Sequence, residues 1–452
     1  MTSPDDQRGA PSDAVGMEDC EDLEDAYLEG DRTFEPGTAR AAFSHPTFRT
    51  VYLGAFASNI GTWMQNVVLG ALAYNLTRSA VFVGLVTAAQ LGPLLLFSIV
   101  GGMIADSYDR KRSLMVLCIQ QAIFSVLLAL VTVPDQPSRA LLLLVVLCIG
   151  IGNALYAPIF SAVIPILVPR RDLSGAISLN SVQMNASRVI GPFIGASIYA
   201  HWGPSWVFLL NAASFGFVIV ALRRVSLPPP VATGTQGLHR VLEGLRTART
   251  DRVIGQCISV IFVFSFLCLP FITQLPTIAD ENLGIASKSA QYGFLYGCFG
   301  LGAVIGALSI GTVFAASSKS KLTRVGLLGF AAMILAFGAT RTPAVAYVAI
   351  LLLGCVYFAV ITSLSTVLQE DLDDAIRGKV MALWIMGFGG TVPFGGLAGG
   401  WVIDRFGITP LIGLSALTAV TLAWRADLLP SRPAGLLGVP PRSTEPVSSP
   451  AG

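Results

Sequence analysis

The chain has 452 residues, of which 53% are hydrophobic and only 12% are charged, and its net charge is +2. Soluble globular proteins carry about 25% charged residues, so this composition excludes a soluble enzyme, a disordered hub and a disulfide-rich secreted scaffold. The apolar runs are long and continuous, which excludes the alternating pattern of an outer-membrane barrel. The composition therefore predicts a helical protein that crosses a membrane many times.

Two polar tails flank the apolar region. Residues 1–40 hold 12 acidic residues against three arginines, and such a segment cannot form a hydrophobic core. Residues 429–452 are rich in Pro and Ser. We expect residues 1–43 and 429–452 to be disordered tails.

Between the tails, twelve apolar runs of 17 to 26 residues follow one another. A helix of that length crosses the roughly 30 Å of hydrocarbon in a bilayer. The runs cover residues 50–74, 80–105, 113–133, 139–161, 175–200, 205–222, 253–277, 290–314, 324–340, 344–366, 379–403 and 408–428. The run at 324–340 is the shortest of them. The sequence predicts twelve transmembrane helices.

The loop cations predict the orientation of these helices. With both termini in the cytoplasm, the inner loops hold 16 Lys and Arg residues and the outer loops hold five, as the positive-inside rule requires. The longest connection, residues 223–252, ends in a basic amphipathic stretch that we expect to lie on the inner leaflet. It separates a bundle of six helices at 44–222 from a second bundle at 253–428.

The two halves resemble each other in the positions of their glycines. A shift of 209 positions aligns one set of glycines and a shift of 204 aligns another. The aligned pairs are Gly84 with Gly293, Gly102 with Gly311, Gly191 with Gly395, Gly195 with Gly399 and Gly203 with Gly407. The fold class predicted is an all-α membrane protein with two pseudo-symmetric six-helix bundles and a substrate path between them.

The loop after the second run has the order Gly102, Asp106, Arg110, Arg112. We expect Gly102 to permit close helix approach. Asp106 can cap a helix or pair with Arg110 or Arg112 in one conformation and release in another. This order resembles the signature loop of the major facilitator superfamily. The alternative is a plain positive-inside loop.

The fifth run contains Gly191, Pro192 and Gly195. Pro192 is expected to kink the helix, and the glycines are expected to allow tight packing. The segment resembles the antiporter signature of drug exporters in the superfamily, although an ordinary kinked helix would also explain it. Segments 61–65, 170–180 and 377–383 resemble the twelve-span drug:proton antiporter branch, which includes macrolide efflux proteins and the enterobactin exporter. That resemblance implies export in exchange for protons.

Arg188 is the one cation near the centre of a predicted span. An unpaired guanidinium in hydrocarbon costs at least several kcal/mol, and the sequence offers no carboxylate at the same depth. We expect Arg188 to face a cavity and attract an anionic or phenolic part of a substrate. The alternatives are bonding to helix carbonyls and a neighbouring Asn or Tyr, or reaching one membrane surface.

Other polar and aromatic residues in the spans are expected to point inward, because polar groups that face lipid are costly. The further candidates for substrate binding are Asn59, Trp63, Asn66, Asn180, Tyr292, Tyr296, Tyr357 and Trp384. Each of them could instead form a hydrogen bond between helices.

Proton carriers within membranes are usually acidic residues or His at depth, and no predicted span has one near its centre. The candidates for proton coupling are therefore Asp106 and Asp404, which lie at span ends. A structural pair between Asp404 and Arg405 is the alternative role for Asp404, and a titrating cargo is another carrier.

The function predicted is secondary active efflux of a small organic molecule, such as an antibiotic, a siderophore or a related secondary metabolite. The chain has no GxxxxGK[ST] loop, so ATP is not expected to drive transport directly. An importer on the same fold and a non-transporting receptor or scaffold are the alternatives. We expect a monomer in the bacterial plasma membrane, without enzyme activity, cofactor, metal or nucleic-acid partner.

Overall fold

The structure is a computed structural model, and it describes residues 34–227, 246, 247, 249, 251–370, 372, 380, 381 and 383–426. The first half contains the helices α1 (Ala39–Ser44), α2 (Pro46–Thr77), α3 (Ala80–Leu91), α4 (Pro93–Ser107), α5 (Arg110–Val131), α6 (Arg139–Val163), α7 (Leu173–Trp202) and α8 (Pro204–Arg224). The second half contains α9 (Arg252–Leu267), α10 (Pro270–Thr273), α11 (Leu275–Leu283), α12 (Ala290–Gly311), α13 (Lys319–Ala339), α14 (Pro343–Glu370), α15 (Val392–Phe406) and α16 (Ile408–Ala426).

These helices coincide with the twelve predicted apolar runs. Three runs are interrupted, the second, the seventh and the eleventh. The seventh divides into α9, α10 and α11, and Pro270 begins α10. The second run breaks at Gly92, because Pro93 begins a new helix. The eleventh run contains a π-helical turn, Met386–Gly390, immediately before α15. Pro192, in contrast, lies inside the continuous helix α7.

Nine helices or helix pairs within the described part of the chain are long and apolar enough to cross a membrane. The other three predicted spans are α2, α7 and the helix that ends in α15. α2 contains 32 residues and α7 contains 30, and both fall outside the nine. α2 carries the polar candidate Asn59, and α7 carries Arg188. Their lower hydropathy therefore has a physical cause, since polar side chains serve the interior of the bundle rather than the lipid.

The first described residues pack against the first bundle, although residues 34–43 belong to the stretch predicted as a tail. Helix α1 is capped by Thr38, and Ala41 and Ala42 are buried. The backbone N–H of Gly37 donates to the buried Asp172 carboxylate at 3.0 Å, and His45 Nε2 lies 2.8 Å from its second oxygen. Alanines and a capping residue give this short segment a packing face.

Glycines that the sequence shifts align lie at equivalent contacts in the two halves. A Cβ on Gly84 of α3 would lie 2.7 Å from Leu397 Cα of α15, and one on Gly293 of α12 would lie 2.4 Å from Ala196 Cβ of α7. Both contacts join the first half to the second. The repeat predicted from glycine spacing therefore corresponds to a repeated packing arrangement.

The other aligned glycines behave alike as well. Gly191 and Gly395 each face the first long helix of their own half. A Cβ on Gly191 would lie 2.5 Å from Trp63 Cβ of α2, and one on Gly395 would lie 2.2 Å from Phe266 O of α9. Gly203 and Gly407 both have positive φ, at 88° and 81°, a conformation that glycine adopts without strain. These pairs make the pseudo-symmetry of the two bundles a property of the backbone.

Candidate functional site

A cavity of about 350 Å³ lies between the two halves. Helices α2, α3, α4, α6 and α7 contribute from the first half, and α10, α11, α12, α14, α15 and the π-helical turn contribute from the second. Seven of the nine predicted substrate-binding residues line it, namely Asn59, Trp63, Asn66, Arg188, Tyr292, Tyr296 and Tyr357. The structure thus brings together residues that the sequence separates by almost 300 positions.

Two predicted residues are absent from the lining that the structure describes. Asn180 lies on α7, eight residues before Arg188, and is partly buried. Trp384 is only 6% exposed, and its side chain belongs to the hydrophobic core. An apolar core position accounts for Trp384 without a substrate.

The lining also includes polar and aromatic residues that were not predicted. Gln90 Nε2 donates a hydrogen bond to Asn66 Oδ1, so the two amides form one polar group at the cavity wall. The others include Thr62, Thr87, Asn153, Thr273, Phe358 and Phe388. Gln90 and Asn153 could have been found in the sequence, since each is an isolated amide within an otherwise apolar run.

One of the described lining residues, Arg188, is charged. Its guanidinium lies between two aromatic rings. Its Cζ atom is 5.0 Å from the centroid of the Trp63 ring and 4.6 Å from that of Phe358. Trp63 belongs to the first half and Phe358 to the second, so the guanidinium bridges the halves through cation–π contacts. The contact also explains how α7 tolerates a cation at mid-span.

The guanidinium keeps donors for a ligand. Its described hydrogen bond is the long contact of 3.5 Å from Nη1 to Asn185 Oδ1, whereas a guanidinium has five N–H donors. The ion pairs between described residues do not include Arg188. An arginine with this much unused donor capacity can bind an anionic oxygen in a cavity that is otherwise walled by rings and amides.

The antiporter-like segment of α7 packs directly on α2. A Cβ on Gly195 would lie 2.8 Å from Met64 Cα, and one on Gly191 would meet Trp63. The tight packing expected of these glycines is therefore present. It fixes the backbone of α7 one turn from Arg188 and so positions the guanidinium against Trp63.

A polar seam closes the end of the molecule opposite α1, and Asp404 of α15 is its centre. Its carboxylate accepts hydrogen bonds from the Ser79 hydroxyl at 2.7 Å, from the Ala80 N–H at 2.7 Å and from the Val81 N–H at 3.0 Å. Asp404 thus caps the amino terminus of α3 from the other half of the protein. The pair with Arg405, considered from the sequence, is not the contact that the described residues show.

Two further polar contacts of the seam join the same halves. Arg78 Nη1 donates to Asp280 Oδ2 at 2.5 Å, and this carboxylate raises the pKa of Arg78. The Tyr74 hydroxyl donates to Glu281 Oε1 at 3.0 Å. The contacts of the seam all join α2, α3 or the turn between them to α11 or α15 of the second half.

The predicted gating loop lies at the end where α1 lies. The expected close approach at Gly102 is wrong in this structure, because a Cβ there would meet nothing within 4 Å, whereas one on Gly101 would lie 2.8 Å from Leu155 O. Arg110 Nε donates to Ala105 O at 2.9 Å, and Asp109 caps α5 by accepting from the Arg112 N–H at 2.7 Å. Asp106 lies in the last turn of α4.

Some predicted features lie outside the described residues. They are most of the acidic tail, most of the amphipathic connection at 223–252, and the tail at 429–452.

Comparison with solved structures shows the fold alone. The nucleoside transporter NupG superposes with a TM-score of 0.71 at 12% identity and covers 85% of this chain and 99% of its own. The xylose transporter XylE from E. coli in an inward open conformation gives a TM-score of 0.66 at 16% identity, covering 86% and 98%. Both are transporters by name.

Comparison with known sequences is more specific. The enterobactin exporters EntS of Escherichia coli O157:H7 and of Escherichia fergusonii are each 29% identical over 348 residues, which is 75% of this chain and 81% of the relative. The sequence model of the transmembrane secretion effector family matches residues 37–432. This match spans both bundles, including the cavity and the seam. The chain is therefore a multi-pass membrane transporter of the major facilitator superfamily and belongs to its transmembrane secretion effector family.

Proposed function

We propose that this protein exports a small organic molecule that carries an anionic or phenolic group on an aromatic or partly apolar body. The observation that carries the proposal is the Arg188 guanidinium, held between Trp63 and Phe358 in the cavity between the two halves. A siderophore, an antibiotic or a related secondary metabolite fits this description.

The chemistry of the cavity supports that cargo class. The guanidinium can donate to a phenolate or carboxylate oxygen, while the partly exposed rings of Tyr296 and Phe358 offer faces and edges on which an aromatic body packs. A volume of about 350 Å³ lies within the range of small-molecule sites. The cavity side chains that the structure describes include no carboxylate, which disfavours a cationic cargo.

The names of the relatives support the direction of transport, and the sequence bears on the energy source. Both EntS proteins are named as exporters of enterobactin, and the sequence has no phosphate-binding loop of the GxxxxGK[ST] type. We infer export that is driven by exchange with protons rather than by ATP. Asp106 and Asp404 are the candidate proton-coupling residues.

Alternating access would use the two ends of the cavity in turn. The seam around Asp404 joins the halves at one end, and we infer that this end faces the outside, since the excess of cations in the predicted inner loops favours cytoplasmic termini. The loop with Gly102, Asp106, Arg110 and Arg112 would gate the inner end. We infer further that the protein works as a monomer in the bacterial plasma membrane, with protons, the cargo and the lipid bilayer as its partners.

Transport into inside-out membrane vesicles tests the proposal. Enterobactin, the cargo named for the relatives, should accumulate in vesicles that contain the protein when the vesicle lumen is made more acidic than the medium. It should not accumulate in vesicles without the protein. Uptake by right-side-out vesicles instead would indicate an importer. Absence of transport in both orientations, with enterobactin and with a panel of aromatic carboxylates, would overturn the proposed cargo class.

A further inference from the structure

A second cavity of about 470 Å³ opens on the surface of the first bundle, between the start of α5 and the end of α8. It lies at the end of the bundle where α1 and the gating loop lie. Its lining residues are Lys111, Arg112, Met115, Val116, Ile119, Ile219 and Arg223. The groove therefore has a cationic end and an apolar body. These two parts match the anionic headgroup and the acyl chain of a phospholipid.

The cationic end holds more positive charge than the described residues around it neutralise. Lys111 and Arg112 lie in the first turn of α5, where the helix dipole already favours an anion. Arg223 lies in the last turn of α8 and completes the group from the neighbouring helix. The nearby carboxylate of Asp109 is occupied as the cap of α5, and Lys111 Nζ donates to Val225 O at 2.6 Å. An anion between these three side chains would supply the missing negative charge.

The apolar body continues the surface of the bundle that faces lipid. Val116 is 63% exposed and Ile119 is 45% exposed, and they lie one and two turns from the cations along α5. A free phosphate would satisfy the cations but leave these side chains uncovered. A second copy of this chain would bring the same three cations together, which disfavours a symmetric contact.

We propose that this groove binds an anionic phospholipid of the inner leaflet. The phosphate would lie between Lys111, Arg112 and Arg223, and one acyl chain would follow Met115, Val116 and Ile119. Basic pockets between transmembrane helices on the cytoplasmic side are known to hold anionic headgroups. The site adjoins the loop of Asp106, so a bound lipid would add a contact to one conformation of that loop. The proposal uses the inferred orientation but no property of the cargo.

Native mass spectrometry of the detergent-solubilised full chain tests the site. Phosphatidylglycerol should be retained as a discrete bound lipid, and phosphatidylcholine with the same chains should be retained less. The double substitution Arg112→Gln with Arg223→Gln should lower phosphatidylglycerol affinity roughly tenfold to thirtyfold, because each basic residue near an anionic surface contributes about 1 kcal/mol. Arg112→Lys with Arg223→Lys should keep most of the binding.

Lys321→Gln is the matched control. Lys321 is the counterpart of Arg112 in the second half, since the shift of 209 positions aligns the two, and it too lies in the first turn of its helix, α13. Its loss should leave phosphatidylglycerol binding unchanged. Equal retention of both lipids, or equal loss in Lys321→Gln, would overturn the site. Displacement of the lipid by millimolar glycerol phosphate would show that the apolar body contributes nothing, and would also overturn it.

Discussion

Arg188 places a positive charge in the centre of the molecule, and its neighbours are rings rather than carboxylates. The faces of Trp63 and Phe358 stabilise the cation by their quadrupoles, but they do not use its N–H donors. This arrangement leaves a preformed cationic site, because the long contact to Asn185 is the hydrogen bond that the described residues give the guanidinium.

Substitution of Arg188 separates the binding role from a structural one. Arg188→Ala should lower export of an anionic aromatic cargo at least tenfold, because it removes a charge-assisted hydrogen bond worth about 1.5–3 kcal/mol. Export of a neutral cargo of the same size should fall less. Arg188→Lys keeps the charge and should retain intermediate activity. Equal loss for both cargoes in Arg188→Ala, together with poor folding, would assign Arg188 a structural role. Initial rates in inside-out vesicles are the measurement.

Asp404 joins the halves through a single carboxylate, and its substitution should loosen the closed end. Asp404→Asn keeps the shape but loses the charge that stabilises the amino terminus of α3. In a Gly70→Cys background, we expect membrane-impermeant maleimide added from outside to label the cavity several-fold faster. Arg405→Gln changes the adjacent exposed charge and serves as the control. Identical labelling rates for Asp404→Asn and its parent would contradict the role of the seam.

At the scale of the element, small residues decide how closely the helices pack. Helix α12 meets α14 along one glycine face, where a Cβ on Gly306 would lie 1.9 Å from Cys355 O. A Cβ on Gly311, at the end of the same helix, would meet nothing within 4 Å. The two positions differ in packing and share a helix.

This difference gives a stability prediction. Gly306→Ala should destabilise the protein by about 1–3 kcal/mol, the usual cost of overpacking. Gly311→Ala should be neutral or slightly stabilising, because alanine favours the helix. Thermal unfolding in detergent, followed by near-ultraviolet circular dichroism, measures both against wild type. The same midpoint for the two variants would show that α12 and α14 can move apart at no cost.

The sequence predicted the elements better than their partners. Span positions follow from run length, because about 20 apolar residues are needed to cross hydrocarbon, and the aligned glycines followed from spacing alone. The partner of Asp404 could not be predicted, because Ser79 and Ala80 lie more than 320 positions away and Arg405 was the obvious neighbour. Phe358 was missed for a similar reason, since a phenylalanine in an apolar run carries no sign that a cation lies over its ring.

At the scale of the whole molecule, orientation decides what the two ends of the cavity do. Reporter fusions after Ala10 and after Gly435 should both report the cytoplasm, and one after Ser287 should report the outside. The physical reason is the excess of cations in the loops on the side of the termini. Opposite locations for the two termini would require an odd number of spans and would contradict the fold.

Energy coupling involves the whole molecule. The described residues of the cavity include no acid, whereas the seam and the loop of Asp106 have several. If protons drive export, they must bind at the ends, at Asp404 or Asp106, or travel on the cargo. Efflux from energised cells should therefore fall when an uncoupler collapses the proton gradient at constant ATP. Asp106→Asn should lower efflux severalfold while expression survives, because a charge that biases one of two states is lost. If Asp404 carries the proton, Asp404→Asn should make the remaining efflux less dependent on the gradient, since its carboxylate is gone. If the uncoupler changes nothing in the wild type, antiport is wrong, and export runs on the cargo gradient or on another ion.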